Sequence, residues 1–362
     1  MWTVDEARRL LIAGVSQANS LRLGKWIKKR ARRSEYVVIR LPRPSGGDNL
    51  FGIRFEGVGD KHPLLPGGSA EQMVPIAMKR RDRKFLLPRS GADLDLAGKR
   101  VLVAGCGSIG GHLAFMMARA GILNQTLVDH DKLSSENTFR HVLGRRYWDH
   151  FKVEALKEEI EGQFPFARIA ALPSKLEDVF AVGDLSWGDF DLVLLALGNP
   201  TIELAINEYL EGMRTRPAAV FAWLEPLGLG GHALLTGLIP GSGCYECLYT
   251  SPTESDNSLV NRASFAAPGQ SFSRALSGCG SSHIPYGASA AVQTATIALR
   301  LAVDTLVGRE TVNALISWKG DERMFVDSGF RTAARYGMSQ DSLLSQQYSF
   351  KSHRCRICGS AR

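Results

Sequence analysis

Three groups of residues have the types and spacing to do chemistry. The first is a glycine-rich run, Gly105-Cys106-Gly107-Ser108-Ile109-Gly110-Gly111, which directly follows the apolar stretch Val101-Leu102-Val103-Ala104. Gly105, Gly107 and Gly110 allow a tight turn and let phosphates approach a helix N-terminus, where unpaired N–H groups meet an anion. Asp129 ends the next apolar run, 24 residues after Gly105, and can accept both hydroxyls of a ribose. These features alone fit NAD as well as ATP. The second group decides between them: Asp129-His130-Asp131, then Asn137, Arg140 and Lys152. A plain dehydrogenase has no use for this set. An enzyme that transfers a nucleotidyl group must neutralise a triphosphate and release pyrophosphate, and cations and an amide near the β and γ phosphates serve that end. The bland alternative for Asn137 and Arg140 is a helix cap and a surface salt bridge.

The third group is cysteine. Cys244 and Cys247 form one Cys-x-x-Cys pair and Cys355 and Cys358 another, 111 residues on. Two such pairs can close a tetrahedral zinc site; four ordinary reduced thiols or a redox pair are the alternatives. Cys279 stands alone in Ser277-Gly278-Cys279-Gly280-Ser281-Ser282-His283. Cys106, inside the glycine loop, reads as a small buried residue.

The elements that must position these groups become clear from residue 99 onward. Short apolar runs at Arg100–Ala104, Thr126–Asp129, Arg168–Ala171 and Asp191–Ala196 read as strands, with helices at Ile109–Ala120 and Lys152–Glu161 between them. This alternation predicts an α/β fold with a mostly parallel sheet covered on both faces. A long apolar helix is expected from about Tyr286 to Leu306, and Thr250–Ala275 reads as polar loop. The tail from about Gly337 is loosely patterned until the last cysteine pair. Before residue 95 the signals are weaker: a helix over 3–33, strands at Tyr36–Arg40, Phe51–Phe55, Val74–Ala77 and Lys84–Pro88, and a loop over Leu41–Asn49.

The chain has 362 residues, 44% apolar and 22% charged, which excludes a wholly disordered chain. The formal charge of +8 is uneven. Residues 1–100 hold 21 Lys and Arg against 10 Asp and Glu, with clusters at Lys25–Arg33 and Lys79–Lys84; the rest hold 23 against 26. A solvated helix face accounts for such clusters, and no aromatic interleaving points to nucleic acid. No apolar run of membrane-spanning length and no leader pattern is present, so a cytoplasmic protein without membrane partners is expected.

From about Leu96 to Asp304 the chain resembles the adenylation domain of the ubiquitin-activating superfamily, also called the ThiF–HesA–MoeB family. The glycine motif matches Gly105, Gly107 and Gly110; the ribose-proximal acids match Asp129 and Asp131; the phosphate-proximal residues match Asn137, Arg140 and Lys152. His141 stands where a Gln is commoner. Arg140-His141-Val142-Leu143-Gly144, Trp223-Leu224-Glu225 and Gly230-Gly231-His232-Ala233 resemble a bacterial branch that includes the activating half of ubiquitin-transfer proteins in antiphage operons of the CBASS type. No complete conjugating domain is recognisable here.

The resemblance implies a Rossmann-like adenylation domain over 96–362, with a cysteine-bearing crossover loop at about 250–285 and a C-terminal zinc-binding tail, behind a basic N-terminal module of 1–95. It implies ATP and Mg2+ at the nucleotide site, Zn2+ on the four paired cysteines, and pairing of two copies. The activity implied is adenylation of the C-terminal carboxylate of a ubiquitin-like or other tailed protein. Cys279 then takes the acyl group as a thioester for a separate conjugating enzyme, with His283 placed to tune the thiolate; a packing cysteine is the alternative. Family members also send an outlying arginine to the triphosphate, a role open to Arg89 or Arg81. One departure stands out. The family's magnesium-holding Asp after the fourth strand is replaced by Gly198-Asn199. Either Asp129 or Asp131 holds the metal, or Asn199 substitutes, or catalysis is lost. Three other readings therefore remain: a sulfur-carrier-protein adenylyltransferase without a thioester step, a nucleotide-binding scaffold, and an NAD-dependent oxidoreductase.

Overall fold

The computed structural model describes residues 3–15, 22, 25, 33–44, 47–181, 183, 185–251, 260–275, 282–283 and 285–359. The chain forms two compact units, Met1–Leu86 and Leu87–Arg362.

In the first unit, α1 (Val4–Ala13) starts with a capping box between Thr3 and Glu6. The helix expected over 3–33 stops at Ala13, where Gly14 caps it, and much of the remaining span lies outside the described residues. Strands β1 (Ser34–Pro42), β2 (Asp48–Glu56) and β3 (Gln72–Ile76) form an antiparallel meander. The loop expected over Leu41–Asn49 is shorter than that. Leu41 pairs with Asn49 and Pro42 with Asp48, and Arg40 holds Asp48 at 2.6 Å. Pro42 is tolerated because β1 is an edge strand, where a missing ladder donor costs little. The strand expected at Lys84–Pro88 is instead part of a helix, α2 (Arg83–Arg89). The carbonyl of Asp82 accepts the N–H groups of Phe85 and Leu86, which starts the turn. Three apolar residues in a row were too short a run to tell a strand from one buried helical face.

The second unit is built on a seven-stranded sheet of order β12-β9-β8-β7-β4-β5-β6. Strands β4 (Arg100–Ala104), β5 (Asn124–Val128), β6 (Arg168–Leu172), β7 (Leu192–Leu195) and β8 (Ala218–Leu224) run parallel. Between β8 and β12 (Ala314–Lys319), β9 (Gly230–Thr236) runs antiparallel to both. The last three strands were not legible as such. β9 begins with Gly230-Gly231, which reads as a turn, yet a Cβ on Gly231 would lie 2.1 Å from the Thr294 hydroxyl. The glycines are there to let a helix and Trp318 close over the sheet.

On one face, α3 (Ser108–Ala120), α4 (Lys152–Gln163) and a long helix pack around Val101, Val103, Leu113 and Met117. On the other, α5 (Leu176–Ala181) and α6 (Pro200–Gly212) share a core with Leu102, Val193, Leu195 and the paired cysteines. The long helix is α7 (Ala288–Leu306), whose Ala291, Ala295, Ala298 and Leu301 are buried against the sheet. Before it, β10 (Arg274–Ala275) and β11 (Ser282–His283) make a two-residue antiparallel ribbon. Beyond β12 come α8 (Arg323–Asp327) and α9 (Gln340–Ser345), the latter capped by Ser339 within the tail expected to be loose.

Candidate active site

β4 lies between β5 and β7, so the chain leaves it in one direction and returns on its other side. In an open α/β sheet the crevice at such a reversal, beyond the carboxyl ends of the strands, is where ligands bind. A cleft of about 280 Å³ opens there, lined by Gly105, Gly107, Asp129, Asp131, Lys152 and Asn199 among others.

The glycines of the loop have separate reasons to be there. Gly105 has φ +82°, and a Cβ on it would fall 2.4 Å from the Ala196 carbonyl oxygen. A Cβ on Gly110 would sit 1.8 Å from the Gly105 oxygen, so only glycine lets α3 approach β4. Gly107 is the N-cap of α3, and a Cβ there would meet nothing within 4 Å. That open space is where a phosphate can reach the first N–H groups of the helix.

Two acids shape the cleft. Asp129 Oδ2 accepts the Cys106 N–H at 2.7 Å and its Oδ1 accepts the Asp131 N–H at 2.8 Å. Asp129 therefore clamps the glycine loop to the end of β5. Asp131 Oδ2 accepts Lys152 Nζ at 2.7 Å. Burial alone would raise the Asp131 carboxyl, but the Lys152 hydrogen bond and charge outweigh it and hold the group below its ordinary value. Lys152 is itself 7% exposed, at the start of α4. The Cys106 thiol is fully buried and pushed well up, by burial first and by Asp129 next, which leaves it an inert packing group.

His141 joins the loop to the Asn137–Arg140 segment. One ring nitrogen, Nε2, lies 2.8 Å from the Cys106 carbonyl, and Nδ1 accepts the Leu143 N–H at 3.1 Å. Burial takes its pKa down to about 4, with only partial opposition from the Cys106 hydrogen bond. The ring is thus neutral and carries its proton on Nε2, as the two partners require. Asn137 Oδ1 caps its own 3-10 turn by accepting the Ser134 N–H at 3.3 Å, and it does not line the cleft. Arg140 lies beside the cleft rather than in it. Its guanidinium stacks 5.2 Å over the Tyr286 ring, whose hydroxyl is 2.7 Å from Ser108 Oγ on the first turn of α3. Tyr286 carried no functional signal in the sequence, where it marked only the expected start of the long apolar helix, far from the motif.

At the carboxyl end of β7, Gly198 has φ +64° with no atom within 4 Å of a Cβ position. Asn199 Oδ1 caps α6, accepting from Thr201 and Ile202 at 3.2 and 3.3 Å. Asp129, His130 and Asp131 bring ligand atoms within 4.8 Å of one another. Arg89, exposed at the end of α2, is not among the cleft residues, and Arg81 belongs to the other unit. Cys279 lies outside the described residues, as does the side chain of His283.

Glu203 on α6 is 1% exposed. It accepts the Leu197 N–H at 3.2 Å and the Tyr245 hydroxyl at 2.9 Å. Burial raises its pKa to about 7 against the pull of Tyr245 and the Leu197 and Gly198 amides. Nothing in the sequence marked this residue, and the helix that carries it was not read there.

The cysteine pairs meet on the face opposite α3. Cys244 Sγ is 3.7 Å from Cys355 Sγ, Cys247 Sγ is 3.3 Å from Cys358 Sγ, and all four sulfurs lie within 4.8 Å of one another. Tetrahedral thiolates at about 2.3 Å from a zinc ion stand about 3.8 Å apart, so the donor set and its size fit that ion.

A second, larger groove of about 900 Å³ lies at the same edge of the sheet. Gly287 and Gln293 of the α7 region, Trp318 and Lys319 of β12, and Arg323 line it. Beneath the span expected to cross over, Glu225 Oε1 lies 3.1 Å from His232 Nε2, and both are buried. Glu225 accepts the N–H groups of Phe265 and Ala266 and the Ser264 hydroxyl, fixing that segment to the sheet. His232 Nδ1 is backed by Ser317 Oγ at 2.8 Å.

A mostly parallel α/β sheet with a glycine loop, a carboxylate–lysine cleft and a four-cysteine cluster on its far face defines an adenylation-type Rossmann-like fold. The profile of the ThiF family matches residues 82–319, and the chain belongs to that family. It is 30% identical over 244 residues to the ATP-dependent ubiquitin transferase-like protein Cap2 of Pseudomonas aeruginosa, an alignment covering 66% of this chain and 42% of that protein. It is 26% identical over 219 residues to the adenylyltransferase and sulfurtransferase uba4 of Aspergillus clavatus, covering 56% and 40%. The chain thus spans less than half the length of these curated relatives. Among solved structures, E. coli MccB superposes with a TM-score of 0.52 at 17% identity, covering 74% of this chain and 67% of that one, which places the fold.

Proposed function

We propose that the chain activates the C-terminal carboxylate of a ubiquitin-like or other tailed protein by ATP-dependent adenylation. A carboxylate oxygen attacks the α-phosphorus, the bond from that phosphorus to the β-bridging oxygen breaks, and pyrophosphate leaves with the electron pair. The observation that carries this reading is the convergence of Gly107, Asp131 and Lys152 on one cleft, with Arg140 delivered to its margin by Tyr286 and Ser108. Lys152 and Arg140 stabilise negative charge on the triphosphate, and Asp129 binds the ribose while holding the loop. Magnesium would neutralise the phosphates from Asp129 or Asp131, because Asn199 already spends its oxygen on the α6 cap. The tail lies along the larger groove, since Tyr286, next to Gly287 of that groove, also touches the glycine loop. Zinc sits on Cys244, Cys247, Cys355 and Cys358 as a structural ion, and two copies of the chain pair as they do elsewhere in the family.

The Cys279 thiolate then attacks the acyl carbonyl, expelling AMP and keeping the acyl group activated for a separate conjugating protein. The Cap2 relative, a ubiquitin transferase-like protein, supports a ubiquitin-transfer setting, whose antiphage character rests on the sequence resemblance alone; the uba4 relative, an adenylyltransferase and sulfurtransferase, supports the alternative of a sulfur-carrier adenylyltransferase without the thioester. ATP–pyrophosphate exchange with a tailed protein encoded beside this one tests the reading. Exchange that survives Cys279→Ala, together with loss of a thiol-sensitive adduct, supports the full sequence. Exchange without any adduct in the wild type favours the adenylyltransferase. ATP binding with no exchange favours a nucleotide-binding scaffold.

A further inference from the structure

The four-cysteine cluster and the nucleotide cleft hold the same helix. Tyr245, between Cys244 and Cys247, is 1% exposed; its hydroxyl donates to Glu203 and its N–H donates to Asn207 Oδ1 at 2.9 Å. Glu203 and Asn207 are one turn apart on α6, so they present one face to this ring. Arg356, between Cys355 and Cys358, donates to both carboxylate oxygens of Glu208 at 3.0 and 2.9 Å. Each Cys-x-x-Cys turn therefore grips α6 through a residue between its thiols. At the start of that helix, Glu203 grips Leu197, which lines the nucleotide cleft together with Asn199.

We propose that Glu203 is a positioning residue through which occupancy of the four-cysteine site sets the 196–199 wall of the cleft, so that zinc and ATP bind with positive coupling. This rests on the reading of the cleft as an ATP site. The Glu203 carboxylate is buried with its oxygens committed on opposite sides, to Tyr245 and to the Leu197 backbone. A buried carboxylate cannot give up a partner cheaply. When the Cys244–Cys247 turn shifts Tyr245, Glu203 must follow it or lose it, and the Leu197–Asn199 segment follows Glu203. Coupling of binding equilibria is reciprocal, so ATP must in turn retain zinc.

The test titrates the purified full chain to equilibrium against a competing chromophoric zinc chelator, with and without a saturating non-hydrolysable ATP analogue. Saturation should raise zinc affinity at least about fivefold in the wild type, the lower end of ordinary coupling. Tyr245→Phe removes only the linking oxygen. It should still bind the analogue and one zinc, yet hold zinc with the same affinity in either condition. Glu203→Ala should do likewise, whereas Glu203→Gln keeps an acceptor for Leu197 and a polar partner for Tyr245 and should retain most of the coupling. Equal zinc affinities in the wild type, or coupling that survives Tyr245→Phe, overturn the proposal while leaving the ATP site intact. A wild type that binds no nucleotide overturns the site assignment and the coupling with it.

Discussion

Lys152 reaches Asp131 from inside the protein: the Nζ–Oδ2 distance is 2.7 Å, with the lysine side chain 9% exposed and the aspartate side chain 53% exposed. The cation is fixed in place and the anion faces the cleft, so on the proposed reading an incoming triphosphate meets a lysine whose orientation is already set. Lys152→Ala should lower ATP–pyrophosphate exchange by about 10²–10³, the usual loss for one preorganised charge-stabilising donor. Because Asp131 stays solvated, the melting temperature should hardly move, and circular dichroism should match the wild type.

The glycine loop separates folding from binding within three residues. Gly110→Ala places a methyl 1.8 Å from a backbone oxygen and should destabilise the protein by more than about 1–3 kcal/mol, the ordinary cost of overpacking. Gly107→Ala meets no atom and should leave denaturant midpoints nearly unchanged while weakening ATP binding. Calorimetry on the two variants checks this; equal loss of stability in both would contradict it.

His141 sets a pH dependence of known sign. Its folded pKa is depressed from 6.5 to about 4. Below about pH 6.5 the unfolded chain takes up a proton that the folded chain refuses. Its contribution is therefore fully present above pH 6.5 and is lost as pH falls toward 4. The depression corresponds to about 3 kcal/mol at most. Urea melts across that window should show this slope, and His141→Gln, which keeps a donor for the Cys106 carbonyl, should flatten it.

Metal analysis should return close to one zinc per chain, and a stable protein free of metal would sink that assignment. Cys355→Ser should raise protease sensitivity after Phe350 and, through the coupling proposed for Glu203, weaken nucleotide binding by a smaller factor than loss of a cleft residue does.

Glu225→Ala leaves His232 and the amides of Phe265 and Ala266 without their acceptor in a buried setting. Loss of about 3–5 kcal/mol is expected, as for other broken buried pairs. Limited proteolysis should then cut within 260–275.

Four of the five parallel strands were legible because buried parallel strands are short uniform apolar runs between helices, as at Arg100–Ala104 and Leu192–Leu195. β9 was not, because Gly230 and Gly231 serve close packing but look like a turn. The glycine loop and acids could be read from spacing, since the chemistry needs them near one another in sequence. Tyr286 and Glu203 could not. Each acts across more than 40 residues, on Ser108 and Tyr245, and nothing local distinguishes a bridging tyrosine or buried acid from an ordinary one. The Lys84–Pro88 expectation failed because three apolar residues carry no period.

The family match stops at Lys319, whereas two of the four clustered thiols lie at Cys355 and Cys358. A fragment cut to the matched span would keep every strand of the large sheet and the whole glycine loop. It would also strip Cys244, Cys247 and Leu248 of their cover and leave Glu208 without Arg356. An expression fragment drawn at that boundary should therefore be sticky and metal-poor, and its weak nucleotide binding would be an artefact of trimming.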